Sequence, residues 1–174
     1  IEIGAADEGA ADLAMMLADA GHHPIVVSNG GRLEAELAAA GLETIRLDMA
    51  SRNPAVIIRN AARLIKLMAA RKCDVVHAHG RAAAWSAYLA ARAARVPFLT
   101  SWYKGFRDQN AFKRAYNGVM ARGDRIIAVS EQIADLIVER HHTPRERIAI
   151  IPAGVDFDRF DPGALTIERV DAVR

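Results

Sequence analysis

Residues 74–101 read DVVHAHGRAAAWSAYLAARAARVPFLTS, and their pattern decides the fold. The run closing on His77-Ala78 is short, apolar and rich in valine. The alanine-rich stretch that follows has helical composition, and Pro97-Phe98-Leu99-Thr100-Ser101 returns to strand character. A strand at 74–78, a helix at 82–94 and a strand at 97–101 make one strand–helix–strand unit. Such a unit joins parallel neighbours, because a parallel pair needs a crossover of a dozen or more residues.

The same unit repeats in both directions. Upstream, apolar residues at Leu13, Met16, Leu17 and Ala20 predict a helix over 9–20 that stops at Gly21. A strand at 24–28 closes on Asn29-Gly30-Gly31 and leads to a helix at 33–40 and a strand at 44–47. Asn53-Pro54 supplies an N-cap and a first-turn proline for a helix at 55–70. That helix places Ile57, Ile58, Ala61, Leu64, Ile65 and Met68 on one stripe. Downstream come a helix at 110–121, a strand at 125–129, a helix at 131–139 capped by Ser130, and a strand at 148–151. The fold class is therefore α/β, a Rossmann-like parallel sheet with helices on both faces. Only Ile1-Glu2-Ile3 precedes Gly4, too little for a central strand, so the opening strand of the sheet is expected to lie upstream.

Composition narrows the function. With 174 residues, 52% hydrophobic and 25% charged, the chain fits one domain with a sizeable core. A net charge of +2 with scattered basic residues lacks the concentrated basic stripe of a nucleic-acid binder. The single cysteine, Cys73, beside an apolar run, is expected to be a partly buried structural thiol in a reducing compartment. No segment approaches the ~20 apolar residues needed to span a bilayer. A cytoplasmic domain is expected, with a peripheral contact at the inner membrane face allowed.

In parallel sheets ligands bind beyond the carboxyl ends of the strands, which selects the candidates. Gly4 to Gly9 places glycines where a turn opens the first helix, a position that attracts phosphate. A plain structural turn is the competing reading. His77 and His79, two apart at a strand end, point the same way, and Arg81 opens the next helix. Histidine pairs suggest metal, but a closed zinc site needs about four ligands, and no metal is assigned. The imidazoles instead suit sugar hydroxyls, and the guanidinium suits a phosphate or carboxylate. Trp102, Tyr103, Lys104 and Arg107 combine flat rings with cations, and Ser130 is a secondary candidate. Lys113 and Arg114 extend the basic patch, while Phe112 and Tyr116 are expected in the core. His22-His23 and His141-His142 read as polar helix ends.

The segments from His77 to Ser86, from Val96 to Ser101, from Arg125 to Ser130, and Ile151-Pro-Ala-Gly-Val-Asp156 together resemble the N-terminal domain of family 4 retaining glycosyltransferases of the GT-B fold. The resemblance implies a domain at 1–155 that holds the acceptor, a connection at 156–174, and a separate C-terminal domain that binds most of a nucleotide-sugar co-substrate. It implies no cofactor bound by this domain and no catalysis by the domain alone. It also implies a glycan or lipid-linked acceptor, in bacterial members often one of lipopolysaccharide or another cell-envelope glycan. Gly4 and Ala5 stand where relatives often carry paired glycines near the donor phosphates. In Thr100-Ser-Trp-Tyr-Lys-Gly105, Tyr103 stands where many relatives place histidine, so catalytic residues stay unassigned, with His77 and Tyr103 as candidates. A non-catalytic Rossmann-like binding module is the alternative that Tyr103 permits. A dinucleotide-dependent oxidoreductase is disfavoured, because no GxGxxG precedes an acidic ribose ligand.

Overall fold

The computed structural model describes residues 4–106 and 110–154. The elements are α1 (Ala5–Asp19), β1 (Ile25–Ser28), α2 (Arg32–Ala39), β2 (Glu43–Arg46), α3 (Pro54–Arg71), β3 (Val76–Ala78), α4 (Arg81–Ala94), β4 (Phe98–Trp102), α5 (Ala111–Asn117), β5 (Arg125–Ala128), α6 (Glu131–His141) and β6 (Ile148–Ile150). Short 3-10 turns follow α5 and α6, at Gly118–Arg122 and Arg145–Arg147. The fold is α/β with every strand pair parallel.

Local chemistry accounts for the helix ends. Asn53 Oδ1 accepts from the Ala55 amide at 2.9 Å, and Pro54 opens α3 where its missing N–H costs nothing. Ser130 Oγ accepts from the Ile133 amide, and Asn110 Oδ1 from the Lys113 amide. α1 starts at Ala5, four residues before the expected position: the Gly4 carbonyl accepts from the Asp7 and Glu8 amides, and those two acids sit in the first turn, where the helix dipole favours them. Gly30 and Gly31 take φ of 87° and 126° at the turn into α2, a region closed to most side chains.

The strands do not form one ladder. Among the described residues β1 pairs with β2, and separately β3-β4-β5-β6 form a four-stranded sheet. Both sheets nevertheless lie over shared helices. Val27 of β1 and Val76 of β3 pack against the same cluster, built on Ala61, Leu64 and Met68 of α3 and Ala90 of α4. α1 and α2 cover Val26 through Ala11, Ala14, Leu33 and Leu37. The largest cluster joins Phe98, Trp102, Ile126 and Ala128 to α4, α6 and the 3-10 turn after α5.

Four expectations fail here. Ile58 is 63% exposed, and the polar Asn60 is buried in α3 in its stead, its amide donating to the Asp48 carbonyl at 2.8 Å. Phe112 is 81% exposed rather than core. The helix expected over 110–121 ends at Asn117 and continues as a 3-10 turn over Gly118–Arg122, in which Val119 and Met120 are buried. Tyr116 is only partly buried, and its Oη is a buried atom with no hydrogen-bond partner among the described residues. The expected connection over 156–174 and the segment at Ile1-Glu2-Ile3 lie outside the described residues.

Candidate functional site

A cleft of about 2070 Å³ opens between α1, β1, α3 and β3 and reaches the carboxyl ends of the strands. Gly4, Ala5, His77, His79, Arg81, Tyr103 and Lys104 all line it. The alternation of a strand explains the histidines: with Ala78 buried between them, the two rings lie 4.2 Å apart, centroid to centroid, on one side.

β4 runs beside β3, in register His77 with Leu99 and Ala78 with Thr100, so the end of β4 delivers the partners. His77 Nε2 lies 2.8 Å from Ser101 Oγ, and His79 Nδ1 lies 2.9 Å from Tyr103 Oη. Burial pushes the His77 pKa down to about 4. Burial, with His77 alongside, pushes His79 to about 3. Burial also raises the Tyr103 phenol, against a hydrogen bond to Ser101 that lowers it. Near neutral pH the cluster is therefore uncharged, two imidazoles and a phenol that can donate and accept hydrogen bonds. An imidazole with a pKa of about 4 is a poor general base at pH 7, so hydrogen bonding suits His77 better than proton abstraction.

Arg81 is the first residue of α4. Its Nη1 donates to Asn117 Oδ1 at 2.9 Å, and its guanidinium carbon lies 4.4 Å from the centre of the Phe106 ring. Lys104 is exposed at the rim. The cation supplies the positive charge that the histidines do not.

Two candidates stand elsewhere. Trp102 is fully buried as the last residue of β4, its Nε1 donating to the Met120 carbonyl at 3.1 Å, with Phe106 and His141 rings against it. The strand runs one residue further than expected, so the loop that reaches the cleft begins at Tyr103, and Trp102 is packing. Ser130 caps α6 and is absent from the cleft lining. Arg107 lies outside the described residues. Sequence reasoning missed Ser101, Phe106 and Asn117, which orient His77 and Arg81. It read Ser101 only as a strand end, and nothing in the local pattern marks Asn117, which comes from α5, 36 residues from Arg81. Cys73, partly buried, has its thiol pKa raised by burial, as suits a structural thiol.

Gly9 is a further residue of the site. A Cβ built there would come 2.5 Å from Tyr103 Oη and 2.7 Å from Tyr103 Cε1. Gly9→Ala is expected to keep α1, since alanine favours a helix by about 1 kcal/mol. It is also expected to drive Tyr103 off His79. The check is by NMR of the His79 ring, whose signals should move while the far-ultraviolet circular dichroism stays constant.

Parallel α/β architecture of this kind is that of GT-B glycosyltransferase domains. Residues 8–159 match the family description Glycosyltransferase Family 4, and the chain belongs to that family. A glycosyltransferase from Rickettsia africae shares 34% identity and superposes with a TM-score of 0.79 over 95% of this chain and 44% of its own. The Anabaena protein HepE, solved in complex with UDP-glucose, shares the fold at 15% identity, with a TM-score of 0.76 over 99% of this chain and 47% of its own. D-inositol 3-phosphate glycosyltransferase 1 of Catenulispora acidiphila is 30% identical over 102 residues, 52% of this chain and 24% of that protein. The chain thus spans under half the length of each of these relatives. Among the described residues no helix is long and apolar enough to cross a membrane.

Proposed function

We propose that this chain is the acceptor-side domain of a retaining glycosyltransferase, which moves a sugar from a nucleotide-sugar donor to a glycan or lipid-linked acceptor in cell-envelope polysaccharide or lipopolysaccharide synthesis. The observation that carries the reading is the uncharged His77–Ser101 and His79–Tyr103 pairing beside Arg81 at the carboxyl ends of adjacent parallel strands. Neutral donors and acceptors held in place suit sugar hydroxyls. Arg81, anchored by Asn117 and stacked on Phe106, suits a phosphate or carboxylate on the acceptor.

Gly4 and Ala5 open α1, the end of a helix that attracts the donor phosphates. The domain at 1–155 connects through 156–174 to a C-terminal domain that holds the nucleotide, and positioning of donor against acceptor across the two supplies much of the rate. The protein works at the inner face of the membrane, where Lys104, Lys113 and Arg114 would meet anionic headgroups.

In the whole protein, Arg81→Ala is expected to raise the acceptor KM or lower kcat by about tenfold or more, the loss of one charge-assisted pair, with the fold intact by far-ultraviolet circular dichroism. Unchanged kinetics would remove Arg81 from the site.

A further inference from the structure

Ser101 joins the two histidine pairs into one chain. His77 Nε2 lies 2.8 Å from Ser101 Oγ, Ser101 hydrogen-bonds the Tyr103 phenol, and Tyr103 Oη lies 2.9 Å from His79 Nδ1. Residues two apart at each strand end put all four groups on one side, and Gly9 of α1 leaves the room that the phenol fills. Neither hydroxyl has a further partner among the described residues. The outer nitrogens, His77 Nδ1 and His79 Nε2, bond to nothing among the described residues, and neither is a fully buried atom. Both are left to the cleft that the rings line.

Three hydrogen bonds need three protons, and the two hydroxyls supply one each. The third is an imidazole N–H, so one ring turns a proton into the chain and the other turns in a lone pair. Both rings are neutral near pH 7, with pKa values pushed down to about 4 and about 3, and each holds a single proton. The ring that donates inward is therefore bare on its cleft side, and the ring that accepts inward shows an N–H there. Because the chain meets Nε2 of His77 and Nδ1 of His79, the two rings carry the same tautomer, both Nε2–H or both Nδ1–H.

We propose that Ser101 and Tyr103 are positioning residues that lock His77 and His79 into opposite roles, one N–H and one lone pair facing the cleft, and that the pair takes a sugar hydroxyl. A hydroxyl gives one hydrogen bond and accepts another, so it is matched in either sense of the chain. A carboxylate or phosphate only accepts, and one of the two nitrogens always meets it with a lone pair. The anion is left to Arg81, whose guanidinium only donates. The choice of a sugar hydroxyl rests on the acceptor-side reading above, whereas the shared tautomer does not.

The test reads the whole protein, isotope-labelled in histidine, near neutral pH by nitrogen NMR, which separates protonated from bare ring nitrogens. His77 and His79 are expected to share one tautomer, or the same mixture of both. Nε2–H on one ring with Nδ1–H on the other would overturn the proposal, since the chain would then have no single sense. Methyl glucoside and acetate are next titrated as probes, and the ring nitrogens are expected to respond to the glucoside. Ser101→Ala and Tyr103→Phe each break the chain and free both rings to turn N–H outward. Either is expected to tighten acetate at the rings about tenfold, the worth of one hydrogen bond. Tyr103→Phe keeps the ring volume and carries the test should Ser101→Ala fail to fold. Wild-type rings that respond to acetate as strongly as to the glucoside, or to neither probe, would overturn the proposal. So would acetate affinity at the rings that is the same in the variants and the wild type. Neither readout needs catalysis, so this result stands apart from whether the whole protein transfers sugar.

Discussion

Lowering the pH from 7 to 5 is expected to remove about 3 to 4 kcal/mol of folding stability, most of it through His77 and His79. Their folded pKa values, about 4 and about 3, lie below the ordinary 6.5 because both rings are desolvated. The unfolded chain therefore takes up these protons first. The contribution to stability is complete above about pH 6.5 and is lost as the pH falls from there towards the folded values. Each ring contributes up to about 1.4 kcal/mol per pH unit inside that window. Urea titrations at pH 7 and pH 5 measure the loss. His77→Gln, whose amide can keep a hydrogen bond to Ser101, should cut the loss by about half. A pH dependence unchanged in that variant would place the titrating groups elsewhere.

The second large effect concerns Trp102. Trp102→Ala is expected to destabilise the domain by about 4 kcal/mol, since it empties a fully buried site between Phe106 and His141. It also deprives the Met120 carbonyl of one donor, although Thr100 Oγ1 still reaches that oxygen at 2.7 Å. Trp102→Phe retains most of the volume and should cost less than half as much. In the whole protein Trp102→Phe should leave the acceptor KM unchanged, because the indole packs inside the sheet and does not line the cleft. A raised KM with normal stability would return Trp102 to the binding site.

The error over Trp102 shows what the sequence can and cannot say. Alternating apolar runs and alanine-rich helices placed the strand–helix order well, because a parallel sheet covered on both faces requires it. Asn53-Pro54 marked the start of α3 through their own backbone chemistry. The end of β4 had no such mark: Trp102 and Tyr103 are adjacent aromatics, and only the register with Ala128 of β5 shows that the first belongs to the strand. Phe112 has no such mark either: it stands in the first turn of α5 and is 81% exposed, and its helical spacing to Tyr116 does not say whether that turn packs against the sheet.

The site was legible where it follows strand periodicity and not where it depends on distant segments. His77 and His79 were paired correctly by their separation of two. Their partners Ser101 and Tyr103 each stand 24 residues away and depend on the β3–β4 register. Arg81 opens α4, as its place in the sequence suggests, and lines the cleft, while the Asn117 and Phe106 that hold it come from later segments. Gly9 drew notice only as part of a glycine-containing turn. Its place is inside α1, where the absence of a side chain makes room for Tyr103.

The proposed reaction is sugar transfer with retained anomeric configuration, and the proposed acceptor side is lined by His77, His79, Arg81 and Tyr103. The most direct measurement incubates the whole protein with a panel of nucleotide sugars and envelope-type glycan acceptors and reads the product's anomeric configuration by NMR. Transfer from one donor, with the configuration of the donor kept in the product, is the predicted result. An inverted product, or no transfer from any nucleotide sugar while the folded protein still binds the acceptor, would contradict it.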